Sequence, residues 1–225
     1  MNIAPERMFV NTFFEQIFGI FVCFINSSII ADSPEPLFWA GIGDALSKEF
    51  EVVFASKYDQ LFHTTLLGQQ ISRVCTAPIL ENGKKALDDF RSHTNSFELI
   101  QVILDIIIST GLASNLTTTT DNSYYYNSML AHCIYYGSTV TKKGHNHLHG
   151  EVVALGTLVQ VAYDEDMEMV KKLMEFNYSI GLPVCFDDIE IDIEEEYETM
   201  FNKFQSSAAW KHKPACVNKE QFYKV

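Results

Sequence analysis

The 225-residue chain is 47% hydrophobic and 20% charged, a globular balance that excludes collagen-like, disordered and disulfide-scaffold readings and leaves room for one or two domains. Its 16 basic and 29 acidic residues give a net charge of −13, which repels nucleic acid and anionic membrane surfaces and points to a small molecule, a metal cation or another protein as partner. Five cysteines (Cys23, Cys75, Cys133, Cys185, Cys216) are odd in number, far apart and without a CxxC pair, the usage of reduced thiols in the cytoplasm.

The first element to account for is the apolar stretch Gln16 to Ile25. It has the outline of a signal peptide or short anchor, but a spanning helix needs about 20 apolar residues. Asn11 and Glu15 interrupt this one, and no small-residue cleavage pattern follows across Asn26 to Asp32. Ile20 to Ile25 is β-branched or aromatic apart from Cys23, which predicts a strand buried on both faces. A comparable run occurs again only at Ile103 to Ile108, in a longer and more helix-like context, so the strand stands alone. Residues 1–33 are therefore expected to be a remnant of a sheet domain with its crossover, and residues 34–225 a helical domain.

Pro34 and Pro36 act as a breaker pair, after which the pattern is helical. Apolar positions recur at spacings of three and four through Ala45, Leu46, Phe50, Val53 and Phe54, then through Leu61, Leu66, Leu67, Ile71 and Val74, predicting one buried face per helix. Further helices are predicted over Pro78 to Phe90, Ser96 to Ser109, Ser128 to Tyr136, Glu151 to Tyr163, Asp164 to Ile180 and Glu194 to Ser206. Pro78 suits a first helical position, and Gly111, Gly137, Gly144 and Gly181 read as stop signals. Thr117 to Thr120 reads as a loop, and the acidic run Asp187 to Glu198 as a solvated helix start, since it lacks the glycine and spacing of a calcium loop. The fold class is mainly α, a helical bundle.

Histidine placement carries the chemistry. Four of seven histidines, His132, His145, His147 and His149, fall within 132–149. Neutral imidazole is a common ligand of zinc and iron. On local composition GHNHLHG is a solvated loop, yet His132 lies in one predicted helix and His149 immediately before the next, so both imidazoles can enter one cleft. Two imidazoles do not complete a site, and Asp44 is the candidate acid; taken alone it is a helix-start carboxylate of the common capping kind.

With AGIGDAL (Ala40 to Leu46), AHCIYYG (Ala131 to Gly137), HNHLHGEVVALGTLVQ (His145 to Gln160) and GLP (Gly181 to Pro183) in this order, the chain resembles the glycerol dehydrogenase branch of the iron-containing, or group III, alcohol dehydrogenases. The resemblance runs from about Phe21 to the C-terminus. It implies the C-terminal helical domain of a two-domain enzyme, with one divalent metal, zinc or iron, held by Asp44, His132 and His149; His145 and His147 are not assigned as ligands. Ligand atoms on a shared ion should lie within about 4 Å of each other. It also implies a polyol or small alcohol substrate and hydride transfer to NAD, expected only with the missing nucleotide-binding domain and hence with a partner chain or in a longer form; a homo-oligomer is implied by family habit.

The chain departs from the family in several places. It has no GxGxxG among its 11 glycines, and Tyr126 and Asn127 stand, after Tyr124 and Tyr125, where the family has two glycines, so bulky rings are expected to crowd the cleft or the nicotinamide. Its last residues, up to Val225, resemble the start of the family's final helix. Three readings follow: the metal-binding half of a glycerol or polyol dehydrogenase that is inactive as an isolated chain, a non-catalytic metal-binding helical protein, and, more remotely, a dehydroquinate synthase-like lyase.

Overall fold

The computed structural model describes residues 24–121 and 123–223. The expected strand Ile20 to Ile25 falls mostly outside them; Phe24 and Ile25, which are described, are not in a strand. Within the described residues the chain is helical, with one isolated antiparallel bridge between Thr118 and Tyr125. The helices are α1 (Ser27–Ala31), α2 (Glu35–Ala55), α3 (His63–Ser72), α4 (Thr76–Arg91), α5 (Phe97–Thr117), α6 (Leu130–Ser138), α7 (His149–Tyr163), α8 (Met167–Ile180), α9 (Ile193–Phe204), α10 (Ala208–Lys211) and α11 (Lys219–Tyr223).

Two helices form the centre. Helix α2 buries residues on nearly every side, from Phe38 and Ile42 through Leu46, Glu51 and Val52 to Phe54, and α7 does the same from Gly150 to Val161. A helix apolar all round is one surrounded by protein. They cross at glycines: a Cβ on Gly150 would sit 1.9 Å from the Ala40 carbonyl oxygen, and one on Gly43 would sit 2.4 Å from that of Gly150. Farther along α7, a Cβ on Gly156 would meet the Ala131 oxygen at 2.4 Å, so α6 docks equally closely on the other side. Around this centre α4 packs on α2 and α5, α8 on α7, and α9 on α6.

Several local expectations need correction. The prolines do not keep helix away from Pro34 to Pro36; Pro34 is the N-cap and Pro36 lies in the first turn of α2, where a missing N–H costs nothing. In α3 the predicted apolar face is turned outward, with Leu66, Leu67 and Val74 at 46%, 45% and 52% exposure, while Thr65, Gly68 and Ser72 are buried. Gly68 lies against Leu116 and Thr117, so the small residues set the close α3–α5 contact and outweigh the periodicity. Pro78 is the third residue of α4, not the first. Gly111 does not stop a helix: Ser96 caps α5 through Leu99 N–H, and the helix runs on through a wide π-type turn at Asp105–Ser109 to Thr117. Of the predicted glycine stops only Gly181 takes the left-handed conformation (φ 77°), closing α8. Asp166 and Asp192 cap α8 and α9, as an acidic helix start requires.

Helix α5 is by length and composition apolar enough to cross a membrane. Here it packs on α4 and α3 and buries Leu99, Val102, Ile103 and Ala113. The Asp105 carboxyl also lies inside, with neither oxygen in a well-formed hydrogen bond. Burial pushes its pKa up to about 7, against a small opposing effect of the neighbouring Ser109 hydroxyl and Cys75 thiol.

Candidate metal centre

Asp44 lies in the middle of α2, not at a helix start, so its expected capping role is absent. Its side chain projects where α2 crosses the first turn of α7, and the glycine contact there lets His149, the first residue of α7, approach: His149 Nε2 is 3.1 Å from Asp44 Oδ1. His132 approaches from α6, with Nε2 3.7 Å from the same oxygen. One atom from each of Asp44, His132 and His149 lies within 4.8 Å of the others. The widest pair exceeds the expected separation of about 4 Å, and bonds of roughly 2.0–2.2 Å to a shared ion would require it to close by about an ångström. His132 is buried, whereas the His149 and Asp44 side chains are 41% and 38% exposed, so the group opens to solvent on one side.

The position of His132 is set by the N-terminus of α6. The first N–H groups of a helix lack partners within it, and here side chains of both central helices supply them. Gln160 Oε1 of α7 accepts from Ala131 N–H at 3.2 Å, and Glu51 Oε1 of α2 accepts from Met129 N–H at 2.6 Å and His132 N–H at 3.0 Å. The second Glu51 oxygen lies 2.7 Å from His132 Nδ1 and accepts from Ser47 Oγ at 3.3 Å. Glu51 is fully buried. Sequence reasoning missed it, although it stands seven residues after Asp44 and so on the same face of α2.

Between the two carboxylates in sequence, buried Lys48 places its Nζ 2.7 Å from Asn127 Oδ1 and 3.0 Å from the Asn127 carbonyl oxygen. Desolvation alone would raise the Glu51 pKa, but the His132 imidazole, Lys48 and the Met129 amide together hold it below the usual carboxylate range. Asp44 behaves likewise: burial works against its charge, while hydrogen bonding to His149 and the nearby His132 and Lys48 bring its pKa down. Both carboxyls are therefore anionic near neutrality, with Lys48 as the ammonium nearest them in sequence.

The remaining histidines do not join the group. His145 Nδ1 lies 3.1 Å from the Thr141 carbonyl oxygen. His147 Nδ1 lies 2.9 Å from Glu151 Oε1, whose other oxygen accepts from Leu148 N–H at 3.0 Å. This pairing fixes the start of α7 immediately beside His149. The expected crowding by Tyr124 to Tyr126 is not what borders the imidazoles: Tyr126 OH donates to Asp59 at 2.8 Å, and the rings against the group are Tyr135, 4.2 Å edge-on to His149, and Tyr136, 6.5 Å from His132. Asn127 serves Lys48.

The donor set fits one divalent cation. Two imidazoles and a carboxylate suit zinc or iron equally, three protein ligands leave a coordination position free, and Nδ1 of His132 is already committed to Glu51, leaving Nε2 for a metal.

No protein-family model matches the chain. Curated relatives do. Hydroxycarboxylate dehydrogenase A of Escherichia coli strain K12 is 28% identical over 179 residues, 79% of this chain and 48% of the relative. Glycerol dehydrogenase of Pseudomonas putida is 29% identical over 183 residues, 78% of this chain and 46% of the relative, and that of Thermotoga maritima 28% over 179 residues, 76% and 46%. Among solved structures, a probable glycerol dehydrogenase from Sinorhizobium meliloti 1021 superposes with a TM-score of 0.76 at 23% identity over 88% of this chain and 55% of that chain, and glycerol dehydrogenase from Schizosaccharomyces pombe with 0.74 at 22% over 89% and 52%. The chain is thus glycerol dehydrogenase-like over more than three quarters of its length in fold, and spans about half the length of the curated relatives it matches.

Proposed function

We propose that this helical unit is the metal-holding half of an NAD-dependent polyol dehydrogenase, with Asp44, His132 and His149 as the ligands of one zinc or iron ion. The observation that carries the reading is the convergence of these three side chains from three different helices, with Glu51 hydrogen-bonded behind His132. When bound there, the ion would supply Lewis acidity toward the hydroxyl of a small alcohol. Asp44 supplies the negative charge that offsets the cation. His132 is held rigidly from behind, and His149 stands at the solvent-facing side where a substrate enters, its ring packed against Tyr135.

Hydride transfer needs a nicotinamide acceptor, and a dinucleotide needs backbone amides at a glycine turn between a strand and a helix. No glycine of this chain lies in a GxGxxG pattern, and the described residues hold no strand beyond the isolated bridge. The acceptor is therefore assigned to a nucleotide-binding unit outside this helical one, supplied by a partner chain or by a longer form of this chain, and we read α5 as a packed helix of a soluble cytoplasmic domain. The same absence favours a second reading, a metal-binding protein without turnover.

Elemental analysis of the purified chain tests the site. One zinc or iron per chain is expected, lost in His149→Ala and retained in His145→Ala; retention in His149→Ala refutes the ligand set. Metal-dependent reduction of NAD by glycerol, followed by absorbance, would show that the chain needs no other unit and refute the proposed division of labour.

A further inference from the structure

We infer that Glu51 is the positioning residue of this centre: it fixes His132 in the tautomer that carries hydrogen on Nδ1 and presents an unprotonated Nε2 toward Asp44 and His149. The inference rests on the proposed metal site and adds a residue outside the ligand set.

The geometry leaves Glu51 little choice. The side chain is fully buried, and its two oxygens face donors of different kinds. One oxygen receives the backbone N–H groups of Met129 and His132, so it locates the first turn of α6 and with it the His132 Cα. The other lies 2.7 Å from His132 Nδ1 and also receives the Ser47 hydroxyl. A carboxylate only accepts, so the imidazole nitrogen facing it must carry the hydrogen. In a neutral ring that leaves Nε2 with a lone pair, and Nε2 is the atom 3.7 Å from Asp44 Oδ1. A hydrogen bond at the remote nitrogen of a ligating histidine orients the ring and raises its basicity, and losing such a partner typically costs about 10- to 100-fold in metal affinity. One residue of α2 thereby sets backbone position, ring orientation and tautomer of a ligand on α6, while Asp44, two turns earlier on the same face, supplies a ligand directly.

Glu51→Gln separates this role from simple packing. The amide oxygen can keep both backbone N–H bonds, but the amide nitrogen then faces His132 Nδ1 as a donor and selects the opposite tautomer, with hydrogen on Nε2. Two readouts apply: titration of the metal-free chain with zinc against a chromophoric chelator, and two-bond proton–nitrogen NMR of the imidazoles at a pH where they are neutral. The wild type is expected to show His132 protonated on Nδ1. Glu51→Gln is expected to switch it to Nε2 and to weaken zinc by 10- to 100-fold while the circular dichroism spectrum stays helical. Hydrogen on Nε2 in the metal-free wild type overturns the inference without any variant, so it remains testable if Glu51→Gln fails to fold. Zinc affinity within threefold of wild type in folded Glu51→Gln overturns it as well. If the wild type binds zinc and His149→Ala does not, the site stands whatever Glu51→Gln does; if the wild type binds none, site and inference fall together.

Discussion

The helix crossing that makes the centre can be tested away from any ligand, by Gly150→Ala. A Cβ there would sit 1.9 Å from the Ala40 carbonyl oxygen, 2.7 Å from its carbon and 3.1 Å from Asp44 Cβ. Real Cβ contacts essentially never fall below 3.0 Å, and the obstacle is backbone, so α2 and α7 must separate by about an ångström. Overpacking of this kind costs typically about 1–3 kcal/mol, against which alanine's better helix propensity returns at most about 1 kcal/mol. A net loss of about 1–2 kcal/mol lowers the melting temperature of a chain this size by about 2–8 °C. The same displacement widens the 3.1 Å gap between His149 Nε2 and Asp44 Oδ1, so zinc affinity should fall at least tenfold. Gly111→Ala is the control: it lies within α5 with nothing inside 4 Å of a new Cβ, and should gain roughly 0.5–1 kcal/mol with zinc binding unchanged. Calorimetric melting and chelator-competed zinc titration give both quantities. If Gly150→Ala melts within about a degree of wild type and binds zinc equally, the crossing does not position the site.

The buried Asp105 carboxyl should make stability depend on pH in a definite direction. Its folded pKa of about 7 lies above the ordinary aspartate value of 3.8, so the folded chain holds a proton that the unfolded chain has released across that window. Stability then falls as pH rises, by at most about 1.4 kcal/mol per unit and about 2–4 kcal/mol in all. Asp105→Asn should be more stable relative to wild type at pH 8 than at pH 4; identical pH profiles from urea denaturation would refute this. NAD should show no saturable micromolar binding to the isolated chain by calorimetry, and such binding would place a nucleotide site where no glycine turn exists. Removing metal with a chelator should lower the melting temperature, because a cation that binds only the folded chain stabilises it by about 2.7 kcal/mol at a free concentration 100 times its Kd; no shift on re-adding zinc would contradict binding to the folded state.

What the sequence made legible was what depends on local pattern. Period-three-and-four spacing located the main helices, and the acidic residues before α8 and α9 are caps because Asp166 and Asp192 side chains accept the first amides. The ligand candidates were legible through resemblance, since GHNHLHG by itself reads equally well as a solvated loop. Three errors share a cause. The pattern makes Pro34 and Pro36 a break ahead of a helix that they in fact begin, puts Leu66 and Leu67 on a buried face that packing turns to solvent, and sets Asp44 at a helix start when it lies in the middle of a 21-residue helix. Each depends on which neighbour an element meets, and for α3 that neighbour is a glycine contact with α5 that no periodicity displays.

Glu51 shows the same limit at the site itself. In SKEFEVV it is one of two glutamates with nothing local to separate them, yet Glu49 pairs loosely with Arg73 near the surface while Glu51 is sealed inside against α6. The difference is register. Counting from Asp44, positions 47, 48 and 51 fall on the same face as Asp44, and that face carries Ser47, Lys48 and Glu51 in place of apolar residues. A buried polar stripe is costly unless each group finds a partner. Here Lys48 finds Asn127, and Glu51 finds two amides, a hydroxyl and an imidazole. A helix that needed only to pack would carry leucine at those positions, so the stripe is the trace left in the sequence by a site that has to be held in place.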